Sequence, residues 1–169
     1  MIYHSTRDEK LTAAPTRAVL EGIAPDGGLY VCDPGKLDFD WQGTLQKDTM
    51  SMAADILGVL LPDFQDMNEL VRASYAGKFA SDDLTPLVPV GERYVLELYH
   101  GPTSAFKDVA LCMLPQLMST ALNGRKEKVM IVTATSGDTG KAALSGFQDA
   151  ENIGITVFYP YGKVSDIQR

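Results

Sequence analysis

Cysteine and histidine are scarce in this sequence. Two of each occur among 169 residues, and neither Cys32 nor Cys112 sits in a Cys-x-x-Cys pair. A disulfide framework or a zinc site needs more ligands at closer spacing, so no metal is assigned. Cys112 falls in an amphipathic segment, where the plain reading is a buried thiol in a reducing compartment. Positive charge is short as well: 15 Lys and Arg against 22 Asp and Glu leave a formal charge of −7. A nucleic-acid or anionic-membrane partner would need a basic face, and neither is expected. A small anionic substrate needs only a local cation and stays open. No apolar run nears the ~20 residues of a membrane span. The opening residues MIYHSTRDEK carry charge where a secretory signal needs an apolar core. These readings place the protein in the cytoplasm. The Rossmann, Walker and nucleophile-elbow signatures are also missing, as are repeats and low-complexity tracts.

What is present is an ordinary globular balance, 45% hydrophobic and 22% charged, with room for one domain or one domain and part of another. Residues 1–90 are loop-rich. Ala24-Pro25-Asp26-Gly27-Gly28 reads as a turn before a short strand at Leu29–Cys32. Apolar residues at helical spacing predict one helix over Thr44–Leu61, stopped by Pro62, and another over Met67–Phe79. Asp82–Pro89 reads as a connector. From residue 91 to 169 the pattern changes to strand (Tyr94–Tyr99), helix (Phe106–Leu122), strand (Val129–Thr133), helix (Thr139–Ala150) and strand (Ile153–Tyr159). Pro115 should kink or divide the first of those helices. The continuous β-branched run at Val129–Thr133 predicts a strand buried on both faces. The alternation implies an α/β fold with parallel strands and right-handed crossovers. A further helix is expected to begin near Ser165, and an αβ unit with an open edge at that point suggests a piece of a longer protein.

Two strand-to-helix turns carry the candidate chemistry. In Thr133-Ala134-Thr135-Ser136-Gly137-Asp138-Thr139-Gly140-Lys141, unpaired N–H groups and the helix dipole suit a phosphate or carboxylate. Gly137 and Gly140 would let a ligand approach the backbone, and Ser136 and Thr139 offer hydroxyls. The plainer reading is an ordinary βα loop capped by Asp138 or Thr139. In His100-Gly101-Pro102-Thr103-Ser104-Ala105-Phe106-Lys107-Asp108, Lys107 is expected in the first helical turn with Thr103 or Ser104 as cap. A cation there opposes the dipole, which favours the neutral amine, the form that attacks an aldehyde. The plainer reading is an exposed lysine paired with an acid. On neighbouring strands, the two turns would offer an amine and an anion cradle side by side. His100 reads as a turn or core histidine.

HGPTSAFKD is similar to the segment of threonine synthases that carries the Schiff-base lysine. TATSGDTG and FYPYGKVSDIQ resemble the segments that follow in that family, and YHSTR and APDGGLYV resemble its opening region. The resemblance spans the chain and implies a fold type II pyridoxal-phosphate enzyme (the tryptophan synthase β-like group), represented here by its N-terminal portion. Residues 1–90 would form the family's N-terminal region, and 91–169 the start of its α/β domain. It implies that Lys107 bonds the cofactor, pyridoxal 5'-phosphate, and moves protons, with Phe106 and Asp108 flanking and positioning it. Thr135, Ser136, Gly137, Asp138 and Thr139 would hold the substrate carboxylate, with Asp138 also near the cofactor's phenolic oxygen. Many relatives of that fold type have asparagine at the position of Asp138.

The implied reaction converts O-phosphohomoserine and water to threonine and phosphate. Lys141, Lys163 and Ser5-Thr6-Arg7 are candidates for the substrate phosphate, with solvated surface charge as the plainer reading. The loop for the cofactor phosphate and the partner of its pyridine nitrogen would lie in the missing C-terminal portion, so this piece alone is expected to be inactive. Alternatives are another fold type II enzyme, such as a threonine dehydratase or cysteine synthase relative, or a non-catalytic anion-binding α/β module.

Overall fold

The computed structural model describes all residues except Pro34, Lys36, Ser136, Val164 and 166–169. Chain contacts divide it into two units, Met1–Val71 and Arg72–Arg169. The helix start expected after Lys163 lies largely outside the described residues.

In the first unit, β1 (Tyr3–Ser5), β2 (Thr12–Ala13) and β3 (Tyr30–Val31) form an antiparallel sheet in the order β2-β1-β3. One buried hydroxyl organises it. Ser5, 1% exposed, donates to the Asp26 carboxylate at 2.8 Å and accepts the Arg7 N–H at 3.1 Å. Asp26 Oδ1 also accepts the Gly28 N–H at 2.9 Å, and Arg7 Nη1 donates to the Asp26 carbonyl. These bonds hold the Asp26 carboxyl below its ordinary range, the Gly28 N–H most and the Ser5 hydroxyl next. Gly27, at φ +78°, and Gly28, whose added Cβ would overlap Ser5 Oγ, leave space for this clamp. The two motifs of the opening region therefore meet in space, and Arg7 is spent on structure.

Helix α1 (Pro15–Glu21) carries Pro15 in its first turn and ends at Gly22, φ +68°. That proline-to-glycine spacing marks the helix in the sequence, although its apolar periodicity is weak. The helix expected over Thr44–Leu61 begins only at Thr49, as α3 (Thr49–Leu60), and a separate short helix, α2 (Trp41–Thr44), precedes it. Asp48 separates them, because its carboxylate accepts the N–H groups of Met50 and Ser51 and caps α3. α4 (Met67–Tyr75) is shorter than expected, and Gly77 follows it at φ +70°.

In the second unit, β4 (Leu87–Val90) and β5 (Arg93–Leu96) form an antiparallel hairpin. Both differ from expectation: the connector contains a strand, and β5 is not part of the parallel sheet. Val90 pairs with Arg93, so Gly91-Glu92 is a two-residue turn, with Gly91 at φ +61° as such turns require. The division after residue 90 falls inside this hairpin. The parallel pair is β6 (Val129–Ala134) with β7 (Ile153–Phe158), joined by α6 (Asp138–Phe147). This gives the mixed α/β fold. One face of the pair is open rather than buried, with Met130, Val132 and Phe158 each more than 60% exposed. Those residues alternate in register with Ile131, Thr133 and Val157 on the other face, and among the described residues no element covers them.

α5 (Asp108–Leu122) runs undivided through Pro115. Proline has no N–H for the Leu111 carbonyl, and Gly146 of α6 closes on that spot. A Cβ on Gly146 would overlap the Leu111 oxygen and lie 2.9 Å from its carbon. Among the described residues no helix is long and apolar enough to cross a membrane, and both cysteines are free.

Tyr75, 5% exposed, donates its hydroxyl to the Val109 carbonyl at 2.8 Å. Burial, and secondarily the Cys112 thiol, push this hydroxyl up to about 12. Burial also raises the Cys112 thiol. The folded state thus keeps protons that the unfolded chain releases. The associated stability is fully present below the unfolded values and is lost as pH rises through them toward the folded ones. Urea melts are expected to lose roughly 2–3 kcal/mol to Tyr75 between pH 10 and 12. Tyr75→Phe should flatten that limb, at a cost of about 1 kcal/mol at neutral pH.

Candidate active site

Lys107 is the N-cap of α5 itself, and Asp108 is the first helical residue. Neither Thr103 nor Ser104 caps the helix, because the turn folds back on Asp108 instead. The Lys107 carbonyl accepts the N–H groups of Ala110 and Leu111 at 3.0 and 2.8 Å. Its side chain is half-buried and lies with Nζ 4.1 Å from the centre of the Phe106 ring. Among the described residues Lys107 makes no ion pair with an acid, contrary to the plainer reading of an exposed paired lysine. Phe106 is 61% exposed and presents its ring beside the amine.

The start of α5 is anchored from several sides. Tyr75 reaches the Val109 carbonyl, and Ser74 Oγ lies 3.0 Å from Met113 Sδ. At the head of the loop, His100 Nε2 and Glu97 Oε2 are 2.7 Å apart, and the His100 ring stacks on Tyr99. His100, and next Tyr99, hold the Glu97 carboxyl below its ordinary range. The Ala80 N–H donates to the His100 carbonyl at 2.8 Å. His100 lies half-buried in the loop just before the turn. Tyr75 and Ser74 carry no motif, and only packing shows their part in holding this turn.

The second turn leaves β6 at Ala134. The Thr135 N–H continues the ladder to the Phe158 carbonyl at 2.9 Å. Gly137 caps α6 with no side-chain bond, so neither Asp138 nor Thr139 is the cap. Asp138 is exposed in the first turn, and Thr139 is half-buried. Gly140 serves packing rather than ligand approach: an added Cβ would overlap Thr135 Cγ2 and lie 2.9 Å from Val157 Cγ1. Ser136 lies outside the described residues. A cavity of about 140 Å³ opens here, lined by Thr135, Gly137, Gly140, Lys141, Leu144, Val157 and Tyr159.

The two turns do not sit on neighbouring strands, since among the described residues β5 pairs with β4 alone. What links them is the contact of α6 with α5. Gly146 meets Leu111 roughly 13 Å along the α6 axis from Gly137, at ~1.5 Å per residue. Lys107 does not line the cavity beside Thr135. Lys163 is exposed.

A family model described as the threonine synthase N terminus matches residues 2–89. Threonine synthase of Saccharomyces cerevisiae is 36% identical over 190 residues, covering 99% of this chain. That of Pseudomonas aeruginosa is 37% identical and covers all of it. Among solved structures, pyridoxal-phosphate-bound threonine synthase from Brucella melitensis superposes with a TM-score of 0.90 at 38% identity. The yeast and Escherichia coli enzymes give 0.83 and 0.81. The chain spans about 37% of the length of these curated relatives and of the Brucella structure, and 99% of the chain is covered in the latter.

Proposed function

This chain belongs to the threonine synthase family, and from that premise we propose that it forms the lysine-bearing side of an active site that makes threonine. Pyridoxal phosphate is the cofactor of the family. The residues present fit it on the lysine side, and the observation that carries the reading is the Lys107 amine: half-buried, beside an exposed aromatic face, and in no ion pair among the described residues. An amine not tied to a carboxylate is free to reach and bond an aldehyde.

In this reading Lys107 holds the cofactor and takes the proton from the substrate's α carbon, returning protons later in the cycle. When bound, the cofactor supplies an electron-withdrawing ring for the charge left on that carbon. The first-turn N–H groups of α6 bind the substrate carboxylate, helped by Thr135, Gly137 and Thr139, with Asp138 toward the cofactor's phenolic oxygen. Ser136 joins them on sequence grounds alone. Lys141, on the wall of the small cavity, is better placed for the substrate phosphate than Arg7, which is bonded to Asp26. The overall change is O-phosphohomoserine and water to threonine and inorganic phosphate, and two free thiols suit a cytoplasmic setting. The division into an N-terminal region to residue 90 and a cofactor-binding domain from 91 is part of the same reading.

The test is product analysis with the full-length protein. O-phosphohomoserine should give threonine and phosphate in equal amounts, while the 169-residue chain alone should give none. Formation of a 2-oxo acid from threonine, with no reaction of O-phosphohomoserine, would assign a dehydratase instead.

A further inference from the structure

One buried carboxylate organises the loop between β5 and α5. Asp108 is 2% exposed, and a carboxylate so placed is tolerated only when its oxygens are hydrogen-bonded. Both bonds come from a single residue. The Thr103 N–H donates to Oδ2 at 2.8 Å, and the Thr103 hydroxyl donates to Oδ1 at 2.6 Å. Gly101 lies flat against the same side chain, where an added Cβ would come 2.9 Å from Asp108 Cγ. Ser104, next in the loop, takes the left-handed φ of +60°, which serine adopts only under constraint. Ala105 is buried, and its carbonyl accepts the Asp108 N–H at 3.0 Å. The loop is therefore folded back on the residue that follows Lys107.

We infer that Thr103 is a positioning residue: through Asp108 it fixes the backbone from which the Lys107 amine is presented. The inference rests on Lys107 being the cofactor lysine. Its physical basis is that a lysine side chain is long and flexible, so the place its amine occupies depends on where the Cα is held. Attack on an aldehyde needs the reacting atoms within about 3–3.5 Å and aligned. Loosening the Thr103 hydroxyl frees one Asp108 oxygen, and the turn loses one of its two bonds to the Asp108 carboxylate. The bond from the Thr103 N–H stays, so the helix need not unfold.

The experiment compares the full-length wild-type protein with its Thr103→Val and Thr103→Ser variants. Each is treated with pyridoxal phosphate and then borohydride, and the labelled lysines are mapped by mass spectrometry. In the trapped reaction the Nζ lone pair adds to the aldehyde carbon, the carbonyl oxygen leaves as water, and hydride from borohydride reduces the C=N bond. Wild type should concentrate label on Lys107 over the surface lysines Lys126, Lys128 and Lys163. Thr103→Val should lower the Lys107 share by about tenfold and leave the surface lysines unchanged, and Thr103→Ser should restore it. A purely structural role would shift the melting temperature without changing the preference among lysines. Gly101→Ala is the second variant: it leaves the hydroxyl in place but displaces Asp108, and should produce the same selective loss. Wild-type label concentrated on Lys107 and unchanged in both variants overturns the inference alone. Label spread evenly over all lysines in the wild type overturns the Lys107 reading and this inference with it.

Discussion

Lys107→Ala in the full-length protein is expected to lower turnover of O-phosphohomoserine by about 10³-fold or more while leaving the fold intact. The rate estimate follows from what a positioned acid–base group contributes, roughly 10²–10⁴-fold, with loss of the covalent tether added to it. The stability estimate is a balance of small terms. The amine over the Phe106 ring, 4.1 Å from its centre, is worth about 0.5–1 kcal/mol at an exposed site. Against this stands a cation at a helix N-terminus, unfavourable by about 0.3–1 kcal/mol. The side chain makes no capping bond that alanine would lose. The net change is therefore close to zero, and a melting curve within a degree or two of wild type should accompany the loss of rate. Residual turnover within tenfold of wild type, in steady-state assays with added cofactor, would exclude Lys107 as the acid–base group. Lys107→Arg should be equally inactive, because a guanidinium stays protonated and cannot bond the aldehyde.

The second large effect is expected where no chemistry is placed. Gly146→Ala adds a single methyl group, but the atom it meets is the Leu111 carbonyl oxygen, with the carbonyl carbon 2.9 Å away. A flexible side chain would swing aside; the backbone of α5 would have to move as a unit. Overpacking of this kind costs about 1–3 kcal/mol where side chains absorb it, so a backbone clash should cost about 3 kcal/mol or more. Urea unfolding of Gly146→Ala against wild type measures it, and a loss under about 1 kcal/mol would show that α5 and α6 separate easily. The close approach has a cause in the sequence of the partner helix. Pro115 removes the N–H that would bond Leu111, and the glycine lets α6 close on that carbonyl. Because the contact sits one turn beyond Lys107, slackening it should also disturb the lysine, visible as reduced borohydride labelling of Lys107 even where the helix content is retained.

Much of the candidate site was legible in the residues themselves. HGPTSAFKD and TATSGDTG each lie between a strand and a helix, and both strand-to-helix turns are present. Elements with strong local signals also matched: β6 and β7 from β-branched runs, α5 and α6 from apolar spacing. Local signals failed where a polar side chain or a partner strand decided the outcome. Asp48 delayed the helix expected from Thr44 to Thr49, since its carboxylate accepts the N–H groups of Met50 and Ser51 and caps the helix there. Tyr94–Leu96 has the composition of a buried parallel strand but pairs with Leu87–Val90, because Gly91-Glu92 makes the nearer hairpin available.

The sequence by itself determined the alternation of strand and helix, which depends on residue types at short, fixed spacings, while the resemblance of its two turns to a known family supplied the cofactor and the lysine to test. Only the tertiary structure decided what holds that lysine in place. Tyr75 is joined to Val109, Gly146 to Leu111, and Thr103 turns its hydroxyl to Asp108 rather than capping the helix. Most of these partners are far apart in sequence, and each depends on close packing or on a buried polar group finding its bond. No local pattern encodes such contacts, since they exist only once the chain has folded and distant backbone and side chains compete for the same space.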